Sequence, residues 1–222
     1  MAVIQDDVRE NQQIELFGLT KPKGAGRSGV DAILELESQT IAFELKTTIN
    51  GSVTTVRDFG YDHIKKWENK HWLISKYSRD GQTLEYSLYG SPQKMSKWIT
   101  SKKEYIKPDV DLANIVPQKI DIKDLYKIVG KKQSYTLDDA RKLNKRQNTV
   151  KEYKNLMDLE KGYSPKRMLE ILRMRCEYLI NRGATLNNPH IPASYFEGWE
   201  KITKNHKKRL RELVSEALDD MQ

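Results

Sequence analysis

The chain has one cysteine, Cys176, among 222 residues. A single thiol can form neither an internal disulfide nor a cysteine-based zinc cluster, so a reducing, cytoplasmic setting is expected. No apolar run approaches the ~18–20 residues that a membrane-spanning helix needs, which sets aside a membrane role. The opening stretch, MAVIQDDVRENQQ, lacks the basic-then-apolar pattern of a secretory leader. Repeats and low-complexity tracts are also missing. The four histidines, His63, His71, His190 and His206, have no metal-ligand spacing and are expected in packing or on the surface. The glycine-containing loop KPKGAGRSG lacks the Gly-Lys-Ser/Thr ending of a phosphate-cradling P-loop.

What is present begins with charge. The chain carries 39 Lys+Arg against 31 Asp+Glu, a net +8. Residues 1–100 balance, with 13 of each sign, and residues 101–222 hold 26 basic against 18 acidic. A positive surface attracts polyanions, of which nucleic acid is the commonest.

Periodicity predicts an amphipathic helix over residues 3–17, carrying Ile4, Val8, Ile14 and Phe17. Two strands follow, Val30 to Leu36 and Thr40 to Thr47, joined by the short connection Glu-Ser-Gln. A helix is expected near Asp62, then strands over 71–78 and 83–90 about the turn RDGQ. Ser91-Pro92 opens a helix expected to end near Ile99. The second half reads as helical. Thr136 caps a helix running through Glu160, Ser164-Pro165 opens one that Gly183 ends, and Ser194 with Glu197 forms a capping box for a last helix. This order predicts an α/β fold, with a core over residues 1–130 and a helical basic region over 131–222 for DNA binding or dimerisation.

The stretch SGVDAILELESQTIAFELKTT holds the densest chemical signal. Strand residues alternate faces, so Glu44 and Lys46 leave the same side of their strand while Phe43 and Leu45 leave the other. Pairing through the Glu-Ser-Gln connection brings Asp31 alongside Glu44 and Lys46. Two carboxylates supply hard oxygen ligands for Mg²⁺, and a lysine beside them can orient water or stabilise charge on a phosphate. Acid-x-Lys recurs at Glu68–Lys70, Asp121–Lys123 and Glu152–Lys154. The first and last of these sit in polar helical surroundings, and the middle one lacks an upstream acid-capped strand.

The segment GVDAIL…FELK resembles the PD-(D/E)xK nuclease superfamily. The resemblance covers roughly the first 80 residues and implies a restriction-endonuclease-like mixed central sheet flanked by helices. It assigns Asp31 and Glu44 to metal binding and Lys46 to catalysis. Gly29-Val30 stands where the family name has proline. The likeness further implies an acid from the first helix, Glu10 or, in its place, Glu15. It implies Mg²⁺ with Mn²⁺ as substitute, double-stranded DNA as substrate, a homodimer, and a protecting DNA methyltransferase. Within the superfamily a type II restriction endonuclease is most similar. The alternatives are a structure-selective DNA nuclease of resolvase or repair type and a non-catalytic basic DNA-binding protein.

The residues around the motif suit DNA contact. Ser52, Thr54, Thr55 and Arg57 follow Lys46 in a hydroxyl-rich run, and such groups meet phosphates and base edges. Lys23 and Arg27 lie in the glycine-containing loop, where backbone can approach a duplex closely. Asn187, Asn188 and His190 lie in a loop of the basic half, and Asn can read adenine bidentately. Trp67, Trp72 and Trp98 are expected in the core rather than as stacking platforms. In the last helix Lys207, Lys208 and Arg209 either clamp phosphates or form a solvated face paired with Glu212 and Glu216.

Overall fold

The computed structural model describes residues 2–22, 29–36 and 39–220. In chain order it contains α1 (Ala2–Phe17), β1 (Ala32–Leu36), β2 (Gln39–Thr48), β3 (Val53–Thr54), α2 (Tyr61–Trp67), β4 (His71–Tyr77), β5 (Leu84–Gly90), α3 (Pro92–Lys119), α4 (Ile122–Val129), α5 (Leu137–Leu143), α6 (Val150–Asn155), α7 (Pro165–Gly183), β6 (His190–Ile191), β7 (Lys201–Ile202) and α8 (His206–Asp219). It is a mixed α/β protein. No helix among the described residues is long and apolar enough to cross a membrane.

The chain forms two compact units, Met1–Lys103 with Leu186–Gln222, and Glu104–Thr185. This differs from the division expected at residue 130. The capping-box spacing of Ser194 and Glu197 predicts one helix over residues 195–220. Instead Ala193–Phe196 is a single 3-10 turn, Lys201–Ile202 becomes a strand, and the helix starts only at His206.

The first unit holds a mixed five-stranded sheet in the order β1-β2-β4-β5-β7. β1 runs antiparallel to β2, β2 parallel to β4, and β4 antiparallel to β5, with β7 on the outer side of β5. The alternation of β2 sets the two faces. Phe43 and Leu45 join Ala32, Leu34 and Leu73 in a core closed by Phe17 of α1 and Leu210, Leu213 and Val214 of α8. On the opposite face Trp72 meets Trp67 at 4.9 Å between ring centroids, with Trp98 and Phe59 in the same cluster. The three tryptophans are at most 5% exposed, so they are core.

The second unit is helical and surrounds Leu125, Tyr135, Tyr153, Tyr163, Met168 and Ile171. Tyr135 and Tyr163 exchange backbone hydrogen bonds of 2.9 Å in both directions, tying the loops together. Thr136 caps α5 as expected, but Lys145 and Arg146 adopt φ of 50° and 57°, which ends the helix. Thr149 then caps α6 separately. One predicted helix is therefore two. α3 is longer than expected, since the residues after Ile99 keep helical spacing up to Lys119. Ser164 caps α7 through the Arg167 amide, as its sequence indicates.

Candidate active site

The site starts from the register of a hairpin. Ala32 lies opposite Phe43, the last pairing of β1 with β2, so Asp31 falls beside Glu44. Where the ladder ends, Asp31 Oδ2 accepts from the Leu45 amide at 2.9 Å. That bond fixes the carboxylate against the strand that carries Glu44 and Lys46. β2 is an inner strand, held on its other side by β4, with Glu44 opposite Trp72 and Lys46 opposite Ile74.

Glu44 is 4% exposed and sits between two ammonium groups. Lys46 Nζ donates to Oε1 at 2.7 Å, and Lys70 Nζ donates to Oε2 at 2.8 Å. Lys46 also lies 4.0 Å from Asp31 Oδ2. Burying an ionised carboxylate costs several kcal/mol unless it is paired, which explains why both oxygens are engaged. Burial opposes ionisation of Glu44 most strongly, yet Lys46 and then Lys70 outweigh it and hold its carboxyl below the usual range. Asp31 moves the other way: burial and the neighbouring Glu44 charge raise it, against Lys46. Burial also works against the Lys46 ammonium, but Glu44 and Asp31 overcome it and raise its pKa. The two acids thus have opposed environments, a pattern common where a site must both hold charge and exchange protons.

The polar surroundings of Glu68–Lys70 predict a solvated helix face, and the structure differs at Lys70. α2 stops at Trp67, and Lys70 directly precedes β4 with 5% exposure. It lies two residues before Trp72, and Trp72 pairs with Glu44, so strand parity aims it at that carboxylate. Gln13 was also missed. It is 1% exposed and donates to the Lys46 carbonyl at 3.1 Å and to Ser75 Oγ at 2.7 Å, pinning α1 to β2 and β4. The available signal was a polar residue on the Glu10–Ile14–Phe17 face.

A hollow of about 480 Å³ opens beside Lys46, lined by Glu10, Gln13, Thr48, Asn50, Ser52, Thr54 and Thr55 among others. Glu10 shares it with Lys46 and pairs with Lys21 at 3.0 Å. Glu15 is exposed and lines a different hollow with Val8, Asn11 and Gln12. Lys23 and Arg27 lie outside the described residues.

The remaining DNA-contact candidates meet in space. Val53 and Thr54 of β3 pair antiparallel with Ile191 and His190 of β6. Thr55 bonds the Pro189 carbonyl through both its amide, at 3.2 Å, and its hydroxyl, at 2.6 Å. Asn187 and Asn188 are exposed just before β6, and Arg57 is exposed just after β3. Ser52 donates through both its amide, at 3.1 Å, and its hydroxyl, at 3.0 Å, to the Asn50 side-chain Oδ1.

Among the described residues, no three His, Cys, Asp or Glu side chains cluster as a metal-binding group. The oxygen donors at the site are Asp31 and Glu44. Asp31 Oδ2 is engaged by Leu45, whereas Oδ1 has no hydrogen-bond partner among the described residues. A pair of hard oxygen donors with one open position fits a small divalent cation that retains most of its own water. Searches against protein-family models and curated proteins return no match.

Proposed function

We propose that this protein is a metal-dependent DNA nuclease of the PD-(D/E)xK type, most similar to a type II restriction endonuclease. In that role it hydrolyses phosphodiester bonds in double-stranded DNA at a short specific site. The single observation that carries the reading is the convergence of Asp31, Glu44 and Lys46 at the open end of the β1–β2 ladder, beside a hydroxyl-lined hollow. A mixed sheet with helices on both faces is compatible with a restriction-endonuclease-like fold. A homodimer and a protecting methyltransferase belong to the same proposal, since a palindromic site calls for two-fold symmetry.

In this mechanism Asp31 and Glu44 would hold Mg²⁺, or Mn²⁺ in its place, with Glu10 the candidate for an outer contact from α1. The cation would lower the pKa of a bound water and offset charge on the phosphate. Lys46 leaves the same strand face as Glu44, and its ammonium is available to a phosphate oxygen or to the attacking water at the hollow. Donors fixed in place before reaction stabilise developing charge without reorganisation. Lys70 keeps Glu44 ionised and oriented while Lys46 turns to substrate. Gln13 holds the Lys46 backbone, so the lysine is presented from a rigid strand.

The test is incubation of plasmid DNA with the protein and Mg²⁺, against a matched sample in excess EDTA. Discrete fragments with Mg²⁺ and intact plasmid with EDTA are expected. Undiminished cutting in EDTA removes the metal mechanism, smearing or selective cutting of branched DNA points to a structure-selective nuclease, and a mobility shift without cutting points to a binding protein.

A further inference from the structure

Resting on the nuclease reading, we infer that the β3–β6 ribbon enters the major groove of duplex DNA and reads base edges, while Lys46 and the carboxylates address the backbone.

The ribbon's inner side is fixed. Val53 and Ile191 are fully buried, and Trp98 Nε1 donates to the His190 carbonyl at 3.3 Å. Phe59 and Leu186 exchange backbone hydrogen bonds of 2.8 Å at its base. Its outer side is polar and presented to solvent. Thr54 and His190 stand opposite one another, both exposed, with Thr54 Oγ1 3.3 Å from His190 Nδ1. That contact engages only Nδ1 of the exposed His190 ring. Asn188 has φ 47°, so the chain turns sharply there and projects two consecutive amide side chains, Asn187 and Asn188.

Three features make this a reading element rather than only a staple between chain segments. A two-stranded ribbon matches the ~12 Å width of the major groove, and Asn suits bidentate contact with adenine. Residues 47–57 and 184–196 contain no Asp or Glu, so the ribbon segments themselves add no negative charge against a polyanion, and the acid of the adjoining hollow, Glu10, belongs to α1. Finally, Thr54 and Thr55 line the same hollow as Lys46, so a duplex with a phosphate at the lysine lies against the ribbon.

The test compares wild type with Asn187→Ala, Asn188→Gly and His190→Ala. Glycine at 188 tolerates the positive φ, so the turn is retained. Melting temperature reports folding, sequencing of cleavage ends on a random duplex library reports base preference, and binding against salt reports phosphate contacts. Expected is a preference at defined base positions in wild type that falls roughly 5–150-fold in the variant contacting each position, as one lost bidentate contact implies. The salt slope should stay unchanged, because base contacts release no counterions. Folded variants that cut with the wild-type sequence profile overturn the ribbon assignment and leave the nuclease reading standing. A wild type that cuts duplex DNA with no base preference overturns the ribbon assignment and the site-specific part of the nuclease reading, and leaves metal-dependent cleavage standing. A wild type that neither binds nor cuts duplex DNA overturns both.

Discussion

Lys70 Nζ lies 2.8 Å from Glu44 Oε2, across a carboxylate whose other oxygen is held by Lys46. The lysine also donates to the Gly29 carbonyl at 3.4 Å, two residues before Asp31. It therefore links both acid-bearing segments of the candidate site. Lys70→Met keeps most of the chain length and removes the charge. Because Lys46 remains, the expected cost is about 2 kcal/mol, below that of stripping a buried ion of every partner. Glu44 has a lowered carboxyl in the folded state, so its contribution is present above the unfolded carboxylate pKa and is lost as pH falls through the folded one. Without Lys70 that loss begins at a higher pH. Urea denaturation from neutral to acidic pH measures both effects. A variant as stable as wild type at every pH refutes the role given to Lys70.

Asp31 allows function to be separated from stability. Its carboxyl is raised, chiefly by burial and next by Glu44, so the ionised form is disfavoured in the fold. An acid raised in this way costs stability above its folded pKa, and that cost disappears as pH falls below it. Asp31→Asn removes the charge but retains an oxygen that accepts from the Leu45 amide. The variant should be at least as stable as wild type at neutral pH, yet cleave DNA on the order of 10²-fold more slowly through loss of metal. Lys46→Ala should lose as much cleavage through loss of transition-state electrostatics. Cleavage within a few-fold of wild type for both variants places the active site elsewhere.

The site's backbone was readable because it depends on local rules. Period-2 alternation and a short connection suffice to bring Asp31, Glu44 and Lys46 together. Lys70 was hidden because it meets Glu44 only through the parallel β2–β4 pairing, which local patterning does not specify. The pairing of Thr54 with His190 spans 136 residues, so two candidate segments that seemed unrelated in sequence form one ribbon. Two-residue strands such as β6 and β7 carry no period of their own, and β7 was accordingly absorbed into a predicted helix. The break between α5 and α6 rests on positive φ at Lys145 and Arg146, residue types that give no turn signal.

His71, opposite Phe43 on the sheet face that turns away from Glu44, predicts a second acid-sensitive region. It is 4% exposed, and its Nδ1 lies 2.6 Å from the Tyr89 hydroxyl. Burial lowers its pKa to about 4. The unfolded chain therefore takes up a proton below its ordinary range while the folded imidazole does not, and stability is lost as pH falls from about 6.5 toward 4. Fully developed, the effect is on the order of 3 kcal/mol. His71→Phe should flatten this part of the profile, although it leaves the Tyr89 hydroxyl unpaired at a cost of about 1–3 kcal/mol. Denaturant unfolding at closely spaced pH values decides the matter, and an unchanged slope between pH 6.5 and 4 in the variant removes His71 as its source.

The basic stretch of α8 offers a phosphate clamp in sequence, but its geometry favours the paired helix face. Arg209 reaches Glu200 at 2.6 Å, Glu212 at 3.0 Å and Glu216 at 3.2 Å, and these carboxylates raise its pKa further above its already high ordinary value. Lys208 lies 3.8 Å from Glu212. The Lys207 side-chain carbons lie against Gly18, and the buried face of α8 carries Leu210, Leu213 and Val214. Releasing counterions requires free cations, and of these three Arg209 is held by acids and Lys208 lies near one. Of the net +8, the Glu104–Thr185 unit supplies +6, with 18 Lys+Arg against 12 Asp+Glu. Replacing Lys207, Lys208 and Arg209 by alanine should therefore leave the slope of log affinity against log salt unchanged on both cognate and random duplexes. Melting temperature should drop modestly as Glu200 loses its partner, since exposed pairs contribute at most about 1 kcal/mol. A slope flattened by about one or more per lost lysine or arginine would return α8 to the DNA interface.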